Sequence, residues 1–174
     1  MARMTPEEFV AWIGPTAQEV CRRYGIPASV CIAQAAIEST WGEDAIWEWN
    51  LFGRKAIEGD NFTNLWTQEY EGPNAYTEDE EHIYIGGNVW RIKAAFKIYD
   101  NLAEAIEDYC ILLTEEPVYR PVMEALGNLQ AYVYALAGDG ENPGIYATNA
   151  QYGPDILATI EANNLAEYDV KEEQ

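Results

Sequence analysis

The spacing of apolar residues divides the chain into helical, then extended, then helical stretches. Phe9, Ile13, Ala17, Val20, Cys21 and Tyr24 recur at helical intervals. Thr5-Pro6-Glu7-Glu8 precedes them: Thr5 suits a cap, Pro6 suits a first turn, and Glu8 completes a capping box. Gly25 closes that helix. A second opens at Pro27-Ala28-Ser29 and places Ile32, Ala33, Ala36 and Ile37 on a buried face. It carries Glu38 where it leaves the core, with Gly42 marking its end. From about residue 57 to 99 the chain is rich in Thr, Tyr, Trp, Asn and Gly. Partial alternation over 65–70 predicts a strand, and 82–85 with 89–92 predict a hairpin around Gly86-Gly87-Asn88. Helical spacing resumes after an Asn101/Glu104 capping pair, with Ala105, Ile106, Tyr109, Leu112 and Leu113 on the apolar face. Further helices are predicted over about 117–126, 128–137 and 154–163, with a loop at 138–144. The polar tail, 167–174, is expected to fray. With no repeat and no linker, residues 1–174 read as a single α+β domain, mainly helical with one small β lobe at about 57–99.

Composition narrows the function classes. A chain of 174 residues, nearly half hydrophobic, is large enough for a real core. The formal net charge of −20 argues against nucleic acid and against anionic membranes, both of which need Lys and Arg. Its plainest reading is a solvated surface. Cys21, Cys31 and Cys110 are an odd set, with no disulfide framework; buried free thiols are expected. The one histidine, His82, and the lack of metal-ligand spacing point to no metal and no cofactor. The acidic run Glu78-Asp79-Glu80-Glu81 reads as an exposed loop tip. Met1-Ala2-Arg3-Met4-Thr5 leads straight into a helix, without the apolar core of a signal peptide, and no apolar run could span a bilayer.

Glu38 is the residue whose setting suggests chemistry. A carboxyl beside apolar neighbours and Trp41 holds its proton to higher pH, because burial disfavours the charged form. A protonated carboxyl near neutral pH is what a glycosidase uses as general acid. The residue pattern alone leaves an equal alternative, a helix-terminal Glu that pairs with Arg54 or Lys55. A second carboxyl would come from the strand region, where Glu69 in Trp66-Thr67-Gln68-Glu69-Tyr70 is the candidate; a water-facing strand carboxylate is its alternative. Six Trp and twelve Tyr suit a sugar-binding surface, yet most such rings pack in cores.

The motifs are specific enough for a resemblance. Ala33-Gln34-Ala35-Ala36-Ile37-Glu38-Ser39-Thr40-Trp41-Gly42, Asn50-Leu51-Phe52-Gly53 and Tyr146-Ala147-Thr148 with Tyr152 resemble the glucosaminidase family of peptidoglycan hydrolases, which includes bacterial autolysins. Thr67-Gln68-Glu69-Tyr70 is similar to its β-lobe segment, and Tyr119 fits a tyrosine after the next helix. Arg54, Ile145 and Asn149 depart from the usual residues, and the run at 78–81 enlarges the β lobe. The resemblance implies a lysozyme-like fold whose β lobe flanks a substrate cleft. It implies an endo-β-N-acetylglucosaminidase that cuts the β-1,4 bond between N-acetylglucosamine and N-acetylmuramic acid. Glu38 would be the general acid, with Glu69 as base or charge stabiliser unless the substrate's own acetamido group attacks. Trp41, Asn50, Phe52, Tyr119, Tyr146 and Thr148 would line the substrate.

Rival readings are a muramidase, a lytic transglycosylase, or a non-catalytic glycan-binding module. The expected partner is the peptidoglycan strand, bound by a monomer. Synthesis in the cytoplasm and action on the wall after release suit an endolysin; a domain of a secreted protein is the alternative.

Overall fold

The computed structural model describes residues 4–46 and 49–169. The chain forms two compact units, Met1–Phe52 with Tyr99–Gln174, and Gly53–Ile98. No helix of the described residues is long and apolar enough to cross a membrane.

The first unit is helical. Helix α1 (Pro6–Tyr24) starts with the predicted box: Glu8 N donates to Thr5 Oγ1 at 3.2 Å and Thr5 N to Glu8 Oε2 at 2.9 Å. It ends at Gly25, whose φ of 68° a side chain would resist. Helix α2 (Ala28–Glu38) buries every residue from Ala28 to Ala36. Its small Ala, Ser and Cys side chains allow neighbours to close in on all sides, and each fully buried Val or Ile contributes about 1.5–3 kcal/mol. α3 (Leu102–Glu115) carries its Asn101 cap as predicted, with Asn101 Oδ1 accepting from Glu104 N at 3.0 Å. The segment predicted as one helix over 117–126 is a 3-10 turn, Pro117–Tyr119, followed by α4 (Arg120–Glu124). α5 (Leu129–Ala137) and α6 (Tyr152–Ala162) complete the bundle. α6 starts two residues before the predicted Pro154, because a proline is tolerated throughout a first turn, where N–H groups have no intrahelical partner.

Glycines set the position of α6. A Cβ on Gly153 would lie 1.8 Å from the Gly138 carbonyl oxygen, and one on Gly144 would lie 2.4 Å from Leu136 O. The start of α6 and the preceding loop therefore rest directly on the backbone at the end of α5. Tyr146 N donates to Leu136 O at 2.8 Å in the same place.

The expected fraying of the tail does not hold for its first part. A 3-10 turn, Leu165–Tyr168, docks on α1 and α2. Leu165 is fully buried, and the Tyr168 ring occupies the space over Gly14 where a Cβ would stand. Asp169 then accepts from Ser29 N at 2.8 Å and Ser29 Oγ at 2.7 Å. The N-cap of α2, Pro27, offers no side-chain bond, so a residue 140 positions later satisfies the helix start. Residues 170–174 of that tail, like Met1, Ala2 and Arg3, lie outside the described residues.

The second unit is an antiparallel sheet in the order β1-β3-β2, formed by β1 (Phe62–Tyr70), β2 (His82–Gly86) and β3 (Val89–Lys97). Gly86 and Gly87, at φ 129° and 61°, make the predicted hairpin turn. Trp90 is buried beneath Tyr76 and Tyr84, and its Nε1 donates to Gly72 O at 3.1 Å. The acidic run is exposed but ordered into the start of β2. Asp79 Oδ1 accepts from the Glu81 and His82 amides, each at 2.8 Å. Those bonds, the Glu81 amide foremost, hold its carboxyl below the usual range.

All three cysteines are buried free thiols, with the Cys21 and Cys110 sulfurs 3.8 Å apart between α1 and α3.

Candidate active site

Glu38 is the last residue of α2, and an unusual turn follows it. Thr40, Trp41 and Gly42 take positive φ angles of 50°, 56° and 87° in succession. Left-handed backbone costs a non-glycine residue about 1–2 kcal/mol. Hydrogen bonds hold it: Ser39 Oγ donates to Ala35 O at 2.6 Å and accepts from Gly42 N at 2.9 Å, while Trp41 N reaches Ala36 O at 2.8 Å. The turn fixes the helix end and so the direction in which Glu38 leaves it.

Tyr152, the first residue of α6, donates from its hydroxyl to Glu38 Oε1 at 2.5 Å. Oε2 has no hydrogen-bond partner among the described residues. Glu38 is exposed by surface area, at the open end of α2. Protein still packs around its carboxyl, and this burial raises its pKa, while the Tyr152 bond pulls the other way. Burial and the Glu38 charge push the Tyr152 phenol upward, so it stays a donor.

Behind this pair the side chains close a ring. Tyr146 stacks on Tyr152 at 6.3 Å between centroids, and its hydroxyl donates to Phe52 O at 3.4 Å. Phe52 stacks on Tyr109 at 4.5 Å, and Tyr109 donates to Gln34 Oε1 at 2.5 Å. Gln34 lies one turn before Glu38 on α2. Its amide nitrogen faces the Tyr152 hydroxyl without completing a hydrogen bond to any described residue. With its oxygen held by Tyr109, Gln34 can offer Tyr152 only a donor. The Tyr152 proton is therefore directed to Glu38.

The other sequence-derived candidates fall in different places. Phe52 and Tyr146 belong to the ring. Asn50 is 1% exposed, and its backbone pairs with Ile46 in a tight turn. Trp41 meets Phe9 edge-on at 5.7 Å. Tyr119 is buried in its 3-10 turn, and Thr148 is exposed. Glu69, in the sheet unit, stands on β1 opposite Trp90, with Lys55 Nζ 2.5 Å from its Oε1. Lys55, one of the two cations considered as a partner for Glu38, is thus engaged by Glu69. Among the described residues no group of three or more His, Cys, Asp or Glu could hold a metal ion.

Comparison with known proteins bears on what this ring is. The glucosaminidase family, described as mannosyl-glycoprotein endo-beta-N-acetylglucosaminidase, matches residues 14–165. The chain belongs to the glucosaminidase family. It is 32% identical over 161 residues to the peptidoglycan hydrolase FlgJ of Salmonella typhimurium, covering 89% of this chain and 45% of FlgJ. It is also 32% identical to the exo-glucosaminidase LytG of Bacillus subtilis, covering 92% of this chain and 52% of LytG. The chain therefore spans about half the length of these relatives. The catalytic domain of the autolysin Auto from Listeria monocytogenes superposes with a TM-score of 0.74 at 26% identity, covering 97% of this chain and 91% of that one. The solved glycoside hydrolase domain of FlgJ gives 0.68 at 26% identity, covering 94% and 91%. The fold is lysozyme-like, as the sequence motifs implied.

Two members of this ring, Tyr152 and Gln34, stand in the motifs quoted above but were given no role there. Tyr152 lies 114 residues from Glu38, just ahead of the proline taken as the helix start. Gln34 is buried four residues before Glu38. The available signal was a polar side chain at i−4 to Glu38, flanked on both sides by apolar residues on a fully buried helix.

Proposed function

We propose that this glucosaminidase-family chain hydrolyses peptidoglycan at the β-1,4 bond between N-acetylglucosamine and N-acetylmuramic acid, with Glu38 as general acid. The observation that carries this is the Tyr152–Glu38 pair. One carboxyl oxygen accepts the phenol hydrogen bond, so the acid proton of Glu38 resides on the other oxygen, which has no partner among the described residues. That oxygen passes its proton to the leaving glycosidic oxygen as positive charge develops at the anomeric carbon. Water completes the cleavage, and the carboxylate is reprotonated afterwards. Glu69 serves as base or charge stabiliser, unless the substrate's acetamido oxygen attacks the anomeric carbon itself. Tyr146 and Tyr119 orient the acetamido group or the water.

Family membership and the names of the relatives support the substrate class. FlgJ is named a peptidoglycan hydrolase and LytG an exo-glucosaminidase. We take the cut of this chain to be internal, as the family description has it. Action on the wall as a monomer, after export or release, completes the proposal.

Glu38→Gln is expected to lower wall hydrolysis by about 10²–10⁴-fold with an unchanged circular dichroism spectrum; near-normal lysis would refute the assignment. Glu69→Gln separates the two routes, since a loss of only a few-fold favours acetamido attack. Mass spectrometry of the fragments is expected to show N-acetylglucosamine at the new reducing ends. N-acetylmuramic acid there would make the chain a muramidase, and anhydro ends a transglycosylase.

A further inference from the structure

The sheet unit has a face that the proposed chemistry does not use. Strand alternation puts Thr67 and Glu69 on the side of Ile92 and Trp90. The opposite side of β1 presents Phe62, Asn64, Trp66, Gln68 and Tyr70. All five are exposed, Phe62 at 54%, Trp66 at 41% and Tyr70 at 78%. Aromatic and amide side chains thus alternate along one strand, with successive rings about 13–14 Å apart. Across the ladder Arg91 stands opposite Gln68 and Lys93 opposite Trp66. The Arg91 guanidinium lies over the Trp66 ring, 5.0 Å from its centroid. Ile83, opposite Arg91 on β2, extends the apolar surface.

Exposed rings in a row, rimmed by polar side chains, mark a binding face. Its composition selects the ligand. Ring faces cover the C–H faces of sugars, and the amides of Asn64 and Gln68 match hydroxyl and acetamido groups. Charge narrows it further. The sheet unit holds five of the ten basic residues, against eight of the thirty acidic ones. Arg91 and Lys93 are exposed beside the rings, with Lys93 Nζ 3.5 Å from Glu81, and four of the unit's carboxylates are in the run before β2. A chain of net charge −20 is poorly suited to the dense phosphates of nucleic acid. Scattered carboxylates along a glycan need only a few cations.

We propose that this outer face, formed by Phe62, Asn64, Trp66, Gln68 and Tyr70 with Arg91 and Lys93, is a second binding site for a carboxylate-bearing glycan strand, separate from the face that carries Glu69. It holds the insoluble polymer while other residues cut it. The proposal extends the peptidoglycan reading, and its deciding measurement, sacculus binding, needs no turnover.

The experiment uses the full chain with Glu38→Gln and measures cosedimentation with purified peptidoglycan sacculi. Tyr70→Ala and Trp66→Ala are expected to reduce the bound fraction at least fivefold. Arg91→Gln is expected to reduce binding and flatten its salt dependence. In the active chain, Tyr70→Ala is expected to slow lysis of whole sacculi while hydrolysis of soluble glycan fragments stays within twofold. Tyr70 is so exposed that its loss leaves folding intact, which keeps the test meaningful if Trp66→Ala misfolds. Unchanged sacculus binding in Tyr70→Ala overturns the proposal. So does tighter binding to a polyuridylate oligonucleotide than to sacculi, or a dimer in sedimentation that Tyr70→Ala dissolves. Binding through Trp66 and Tyr70 by a chain that hydrolyses nothing would refute the enzyme and leave this site standing; hydrolysis with indifferent binding would do the reverse.

Discussion

Tyr152 acts on one oxygen of Glu38, and that selectivity has a measurable sign. Its hydrogen bond favours the ionised carboxyl and so works against the burial that raises the Glu38 pKa. A general acid must be protonated, so activity falls as pH rises through that raised value. Tyr152→Phe keeps the ring stacked on Tyr146 and removes only the bond. The Glu38 pKa then rises further, and the alkaline limb of kcat/KM is expected to move to higher pH. An unmoved limb would mean that Glu38 is not the group titrating there. The same raised pKa has a stability consequence. The contribution from Glu38 is present below the ordinary carboxylate range and declines as pH climbs through the folded-state value. Glu38 itself was legible in the sequence, since an apolar helix ending in one carboxyl is a local pattern. Its partner was not, because nothing in a one-dimensional pattern links position 38 to position 152.

At the scale of elements, helix α2 was readable from its apolar face, and the capping box of α1 and the Asn101 cap of α3 from their spacing. These are contacts between residues three or four apart, where sequence order and spatial order coincide. The placement of α6 depends instead on Gly138, Gly144 and Gly153, whose contacts are backbone to backbone. Such glycines read as loop or helix punctuation until the packing is known. Gly153→Ala forces a methyl group into the Gly138 carbonyl. We expect a loss of about 3 kcal/mol or more, seen in thermal unfolding, with glycosidase activity reduced because Tyr152 is the adjacent residue. Asp169 makes the same point for α2. Asp169→Ala removes both bonds to Ser29 and is expected to cost about 1–2 kcal/mol, lowering Tm on the order of 5 °C. A Tm unchanged within a degree would show that water replaces the cap.

For the molecule as a whole, charge is unevenly distributed. The sheet unit carries eight acidic and five basic groups, whereas the helical unit and its termini hold twenty-two acidic and five basic. Self-repulsion of that size opposes compaction, and salt screens it with a Debye length of about 8 Å at physiological ionic strength. The Tm of the whole chain is therefore expected to rise by several degrees between low salt and 0.15 M, and a flat profile would show that the repulsion is already relieved locally. Net charge was legible at once, as were the α+β class and the strand-rich insert. What the sequence did not reveal was that the acidic run before β2 is tied down. Asp79 uses backbone amides as partners, and backbone amides have no letter in a sequence.

The bond between Ser29 and Asp169 also imposes an order on biosynthesis. A ribosome adds about 5–20 residues per second, so the 140 positions that separate the two partners take roughly 7–28 seconds to emerge. Throughout that interval the helix bearing Glu38 has been made but lacks its cap. The nascent chain caps its acid-bearing helix only after Asp169 has emerged, which ties completion of that helix to delivery of the turn at Leu165–Tyr168.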